Sequence, residues 1–227
     1  MAGTVMHLVI ADRLMDTLKI QNPGFFYCGN LAPDAIMARK NYVREMKRHT
    51  HFKDEIRLYE FRQPEKMKIY MERLMNFYQT LVAPPSEHFE IYYGYLTHML
   101  VDELYLLHFR DRFVDQLLAA GKEPTDEAFF NLFTKDVDLV DWELVRTYQF
   151  KYPMPEILRL KETYEIPGFI TSEELLDSKE FIITKNFVNK HEKAPLQVMT
   201  MEQNLAFIEL CVHEIPGILR ERFGMKV

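Results

Sequence analysis

The sequence predicts an all-α fold, a bundle of several helices, and three observations predict it. Apolar residues recur three and four positions apart over long stretches, the spacing that gathers side chains on one face of a helix. Eight glycines and eleven prolines among 227 residues are too little turn material for an architecture of many short strands. Seventeen phenylalanines, twelve tyrosines and thirteen methionines supply apolar bulk instead, in a composition that is 48% hydrophobic. A chain of this size can bury one substantial core, so a single helical domain over 1–227 is expected.

Met6, Val9, Ile10, Leu14, Met15 and Leu18 describe an opening amphipathic helix, closed near Asn22-Pro23-Gly24. A loop over 25–33 is expected next, then a helix entered at Asp34 and running to Lys47. A third helix occupies 64–82, with Met67, Tyr70, Met71, Leu74 and Phe77 inward, and stops at Ala83-Pro84-Pro85. The longest begins near Ser86, passes through Tyr92, Leu96, Leu100, Leu104 and Leu107, and ends at Gly121. Residues 125–148 are helical with a break near Asp138, and 153–163 form a shorter helix started by a proline. Over 169–188, Thr171-Ser172-Glu173-Glu174 starts one short helix, while Phe181-Ile182-Ile183 reads equally as strand or helix. A last amphipathic helix covers 202–223, kinked or split at Pro216-Gly217.

The formal net charge is -6, with no dense Lys/Arg run, so stable nucleic-acid binding is not expected. A polyanionic ligand would need a local cause such as a metal. Cys28 and Cys211 stand alone without a CxxC, which argues against a disulfide framework or a thiolate zinc site and fits a reducing cytoplasm. The first ten residues hold no basic leader and no window has the length of a membrane span. A cytoplasmic protein without a transmembrane segment is the expectation.

The densest chemical signal is Gly94-Tyr-Leu-Thr-His98-Met-Leu-Val-Asp102-Glu103. His98 and Asp102 lie one above the other on the longest helix, with Cβ atoms about 5–6 Å apart. Imidazole and carboxylate are ligand types that zinc accepts. An isolated His-x-x-x-Asp is usually a surface hydrogen-bonded pair. Here Tyr95, Leu96, Leu100, Val101 and Leu104 surround it, and a buried pair needs partners. Candidate partners are His7, Asp34 after Gly29-Asn30-Leu-Ala-Pro33, His49 and His51, and His108 ten residues beyond His98. Each alone has a plainer reading as a core, capping or solvated residue; together they form an ordered set.

That set resembles the zinc-dependent phospholipase C family, to which fungal single-strand nucleases are related. The likeness covers roughly the first 120 residues: an early helical His, a Gly-x-x-x-Pro-Asp loop, a His about fifteen residues on, then Gly-Tyr-Leu-x-His-x-x-x-Asp. It implies an all-helical bundle around a metal cleft, with 1–120 as the metal-site half and 121–227 as supporting helices. It implies one or two Zn2+ ions, other divalent metals being alternatives. Asp34, one of His49 or His51, His98 and Asp102 would hold the first ion, with Asp102 bridging to a second bound by His7. His108 keeps the family's spacing towards a third site, but neither His191 nor His213 opens the His-x-x-x-Glu or His-x-x-x-Asp pair that completes it. The N-terminal tryptophan ligand of the secreted relatives also has no counterpart, since the sole tryptophan is Trp142.

The activity implied is metal-dependent hydrolysis of a small-molecule or lipid phosphoester, a phosphodiesterase reaction in which bound water has its pKa brought from about 15.7 towards about 7. Asp34, with Asp102, is the candidate catalytic carboxylate, and the neighbouring Glu103 is turned about 100° away from Asp102. Phe25-Phe26-Tyr27 reads as a hydrophobic rim or, more often for such a run, as core; Arg39, Lys40 and Arg44 read as phosphate ligands or a solvated face. Two other classes compete. One is a non-catalytic helical binding protein with a structural metal or a packed His/Asp cluster; the other is the helical His-Asp phosphohydrolase type, whose adjacent His-Asp pair none of the eight histidines provides.

Overall fold

The helix Phe89–Ala119 (α5) is the axis of the molecule. From Tyr93 to Leu106 it is buried on every side, which a helix tolerates only when other elements surround it. A computed structural model of the chain describes residues 2–87, 89–159 and 164–227, apart from the side chains of Arg110 and Asp111. The surrounding helices are Thr4–Leu14 (α1), Pro23–Ala35 (α2), Arg44–Thr50 (α3), Pro64–Phe77 (α4), Asp126–Thr147 (α6), Met154–Leu158 (α7), Ser172–Ile182 (α8) and Met201–Phe223 (α9). Wider π turns extend α4 to Val82 and α8 to Val188. Among the described residues there is no strand, only an isolated bridge between Ile166 and Ile170. The all-α expectation holds.

The segment 25–33 is helix, not loop. Asn22 accepts the N–H of Phe25 at 3.2 Å through its side chain, and Pro23 takes the first helical position, where its missing N–H costs nothing. Asn22-Pro23-Gly24 is thus a start signal as much as a stop. Pro33 lies in the last turn, so Asp34 ends a helix rather than beginning one. The helix expected over 34–47 is interrupted: a short 3-10 turn spans Ile36–Ala38, Asn41 adopts a left-handed φ of 63°, and α3 starts only at Arg44. Phe25, Phe26 and Tyr27 are buried core residues of α2, not a rim.

Later elements differ less. α6 runs unbroken through Asp138, which pairs with Lys185 at 2.7 Å. α7 is shorter than expected, and 160–163 fall outside the described residues. The ambiguous Phe181-Ile182-Ile183 is helical, continuing α8 from a capping box between Thr171 and Glu174. α9 continues through Pro216 to Phe223 and ends on Gly224, left-handed at φ 67°.

Buried hydrophobics form one contiguous cluster from Ala2 to Phe223. α1 is anchored across it: Asp141 of α6 accepts the N–H groups of Val5 and Met6 at 3.0 and 3.1 Å, capping a helix whose N-cap, Gly3, has no side chain. Cys28 and Cys211 are free and buried. No helix among the described residues is long and apolar enough to cross a membrane.

Candidate metal centre

Two glycines set the distance on which the centre depends. A Cβ on Gly29 of α2 would lie 1.8 Å from the Ile91 carbonyl oxygen, and one on Gly94 of α5 would lie 2.2 Å from that of Phe26. The two helices therefore touch backbone to backbone. That contact brings the Asn30 carbonyl to 2.7 Å from His98 Nδ1, which donates to it, so the Nε2 lone pair of His98 faces inward.

Four elements then converge. α5 supplies His98 and Asp102, one turn apart. α1 lays the His7 ring flat on His98, with centroids 3.7 Å apart and planes parallel to 1°, and its Nε2 lies 3.5 Å from Asp102 Oδ1. The end of α2 supplies Asp34. The end of α3 supplies His51, whose Nδ1 donates to the Lys47 carbonyl at 2.8 Å and whose Nε2 lies 3.2 Å from Asp34 Oδ1 and 3.7 Å from Asp102 Oδ2. Thr50 ties α3 to α2 by donating to the Pro33 carbonyl at 2.7 Å. Phe52 then takes a left-handed φ of 57°, a conformation costing roughly 1–2 kcal/mol, and both its neighbours, His51 and Lys53, end up buried.

Nε2 of His7, His51 and His98 and Oδ1 of Asp102 are buried without a hydrogen-bond partner, a cost that buried polar atoms rarely carry without a reason, and Asp34 Oδ1 has the Lys47 ammonium beside it. Zinc–ligand bonds of about 2.0–2.1 Å in a tetrahedron place neighbouring ligand atoms about 3.4 Å apart, and the separations of 3.2–3.7 Å fall around that value. Among the described residues, two groups of three meet the spacing for a metal, His7–His98–Asp102 and Asp34–His51–His98. The residues fit a zinc ion.

Electrostatics also suits metal ligation, which needs ionised carboxylates and neutral imidazoles. Burial would raise Asp34, but Lys47, with its Nζ 2.7 Å away, and His51 hold it well below the usual carboxylate range. Asp102 is likewise depressed against burial, first by Lys53 at 3.4 Å and then by His7. Burial pushes the His98 imidazolium well down, helped by neighbouring His7. It also lowers His51, with Asp34 only partly offsetting it. Lys47 is raised because Asp34 outweighs burial, whereas for Lys53 burial outweighs Asp102 and the value falls.

Other sequence candidates are not brought here. His49 sits about 200° around α3 from His51; it is exposed, bonds Asp54 through Nδ1 at 2.8 Å and stacks on Phe169. It lines a separate cavity of about 660 Å3 with Phe52, Arg73 and Phe77. His108 is exposed, about 15 Å along α5 from His98, and belongs to neither metal-spaced group. Glu103 is buried but held by both oxygens on Arg222 of α9, at 2.8 and 2.9 Å. Arg39 pairs with Glu174. Lys47 and Lys53, cations in contact with the candidate ligands, had no signal in the sequence beyond flanking the His49–His51 segment.

A cleft of about 340 Å3 opens beside the centre. Its polar lining is Asp34 with Lys47, Arg44, Asp141 and the Asp138–Lys185 ion pair, and Met37, Leu58, Phe130, Phe133 and Val137 are its apolar wall. Met37 and Phe130 are 46% and 47% exposed, and the guanidinium of Arg44 lies 4.9 Å over the Phe130 ring.

The sequence model of the family described as zinc-dependent phospholipase C matches residues 6–144, more than half of the chain and the stretch that contains all five converging residues. Among curated proteins and among solved structures, none matches the chain.

Proposed function

This chain belongs to the zinc-dependent phospholipase C family, and we propose that it hydrolyses a lipid phosphodiester at the centre formed by His7, Asp34, His51, His98 and Asp102. One observation carries this reading: five buried donor atoms from four helices, at metal-ligand separations, stand next to a cleft that holds the cations Lys47 and Arg44 and is apolar along its wall.

Zinc held there supplies Lewis acidity towards a phosphoryl oxygen and lowers the pKa of water towards about 7. The chain's own residues do the rest. Of the five, Asp34 lines the cleft, where it is placed to orient a water. Lys47, 17% exposed in its side chain, keeps Asp34 ionised and presents a cation to the incoming phosphate. Arg44 adds a second cation on the same cleft. His98, fixed by Asn30, and His51, fixed by the Lys47 carbonyl, cannot rotate out of register. Met37, Phe130 and Val137 receive the apolar part of the substrate, which favours an acylated ester over a nucleotide; the net charge of -6 points the same way.

The test is zinc content, together with release of a phosphorylated headgroup from mixed phospholipid micelles and cleavage of single-stranded oligonucleotides, on one preparation. Zinc-dependent cleavage of the lipid is expected. Cleavage of oligonucleotide alone would overturn the substrate assignment. Bound zinc with no turnover of any phosphodiester would transfer support to a structural metal in a binding protein.

A further inference from the structure

The two lysines at the centre have a consequence for how many metal ions it takes, and this inference rests on the zinc reading above. Lys47 and Lys53 are not surface residues that happen to lie nearby. The Lys53 residue is 2% exposed, with Nζ 3.4 Å from Asp102 Oδ2; Lys47 Nζ is 2.7 Å from Asp34 Oδ1. Each carboxylate has its own ammonium, and the four charges cancel before any metal is present. In a buried site, charge left uncompensated is costly.

We propose that Lys47 and Lys53 are the centre's built-in second cation, so that it binds one zinc ion and not two. The donor inventory agrees. The two metal-spaced groups share His98, whose Nδ1 is committed to Asn30 and which therefore has one lone pair to offer. Among the described residues, two ions would leave one of them with two protein ligands unless Asp102 bridged through both oxygens. Its Oδ2 faces Lys53 and His51, and its Oδ1 alone is orphaned. With one dication the centre carries two positive charges, matched by a phosphodiester monoanion and the nucleophile that attacks it. With two dications beside two lysines it would carry four.

The experiment is a zinc titration of the full chain after chelation, against a competing chromophoric chelator. It compares wild type, Lys53→Met and Lys53→Arg, with circular dichroism confirming the fold and hydrolysis followed on the same samples. Wild type and Lys53→Arg are expected to bind one equivalent. Lys53→Met, which frees Asp102 Oδ2 and removes a charge, is expected to bind a second. Wild type that binds two equivalents and turns over substrate would overturn this inference and leave the proposed function standing; no uptake with no turnover would overturn both. Should Lys53→Met not fold, the wild-type stoichiometry still decides, as does X-ray absorption of the loaded wild type, where metal–metal scattering would overturn the proposal.

Discussion

Gly29 on α2 and Gly94 on α5 face each other's helix at a crossing with no room for a methyl group, since added Cβ atoms would lie 1.8 and 2.2 Å from opposing carbonyl oxygens. Those oxygens belong to backbone and cannot step aside as a side chain would. Gly94→Ala must separate the helices and lengthen the His98–Asn30 hydrogen bond with them. Overpacking typically costs about 1–3 kcal/mol, and the upper end applies here. A melting temperature lower by roughly 6–12 °C is expected at about 2–4 °C per kcal/mol for a chain this long, with zinc content falling in parallel. Gly217→Ala in α9, where an added Cβ meets nothing within 4 Å, should leave both unchanged or raise the melting temperature slightly.

The histidines divide into two sets. His98→Ala and Asp102→Ala should each lose bound zinc and at least a hundredfold in phosphodiester hydrolysis, an estimate for removing a ligand or its support. His49→Ala and His108→Ala, both exposed, should keep wild-type zinc content and activity within about twofold. Metal analysis of the four variants checks this. Zinc loss in His49→Ala would place the wrong histidine at the centre.

Asp141 links α1 to pH. Burial pushes its carboxyl up to about 7, against the pull of the Val5 and Met6 N–H groups, whereas an unfolded aspartate titrates near about 3.9. Folding therefore takes up a proton: the stabilisation is complete below about 4 and is lost as pH rises through about 7. Depressed His51 and His98 act in the opposite sense, losing stability as pH falls below about 6.5. The measurement is thus a difference, the stability of chelated wild type minus that of Asp141→Asn, from denaturant melts between pH 5 and pH 8. It should grow as pH falls; a flat difference would remove Asp141 from this role.

The cleft wall makes a prediction about substrate. Phe130 and Met37 are about half exposed, so Phe130→Ser should change stability by no more than about 0.5 kcal/mol. Recovering an acyl chain on that ring is worth about 1.5 kcal/mol. kcat/KM for a long-chain phospholipid should fall about tenfold, while a short soluble chromogenic phosphodiester is hydrolysed as before. Equal losses on both substrates would show that Phe130 acts on the centre and not on the lipid.

Helical periodicity made α1, α4, α5, α6 and α9 legible, because each keeps its apolar stripe over three turns or more. The His98–Asp102 pair was legible for the same reason: four residues along a helix bring side chains onto one face whatever surrounds them. α2 was misread because Asn22-Pro23-Gly24 carries stop and start signals at once, and only packing against α5 shows that the chain enters a helix there.

His49 and His51 remained alternatives in sequence, both being compatible with the spacing from Asp34. The inward turn of His51 depends on the Thr50–Pro33 contact and on the left-handed Phe52, neither of which leaves a local mark. Lys53 beneath Asp102 and Asp141 capping α1 are 49 and at least 135 residues from their partners. Spacing along one helix is set by about 100° of rotation per residue and can be counted. Which face meets which, and whether a glycine lets two backbones touch, is set by contacts between distant segments, and these form only when the chain folds.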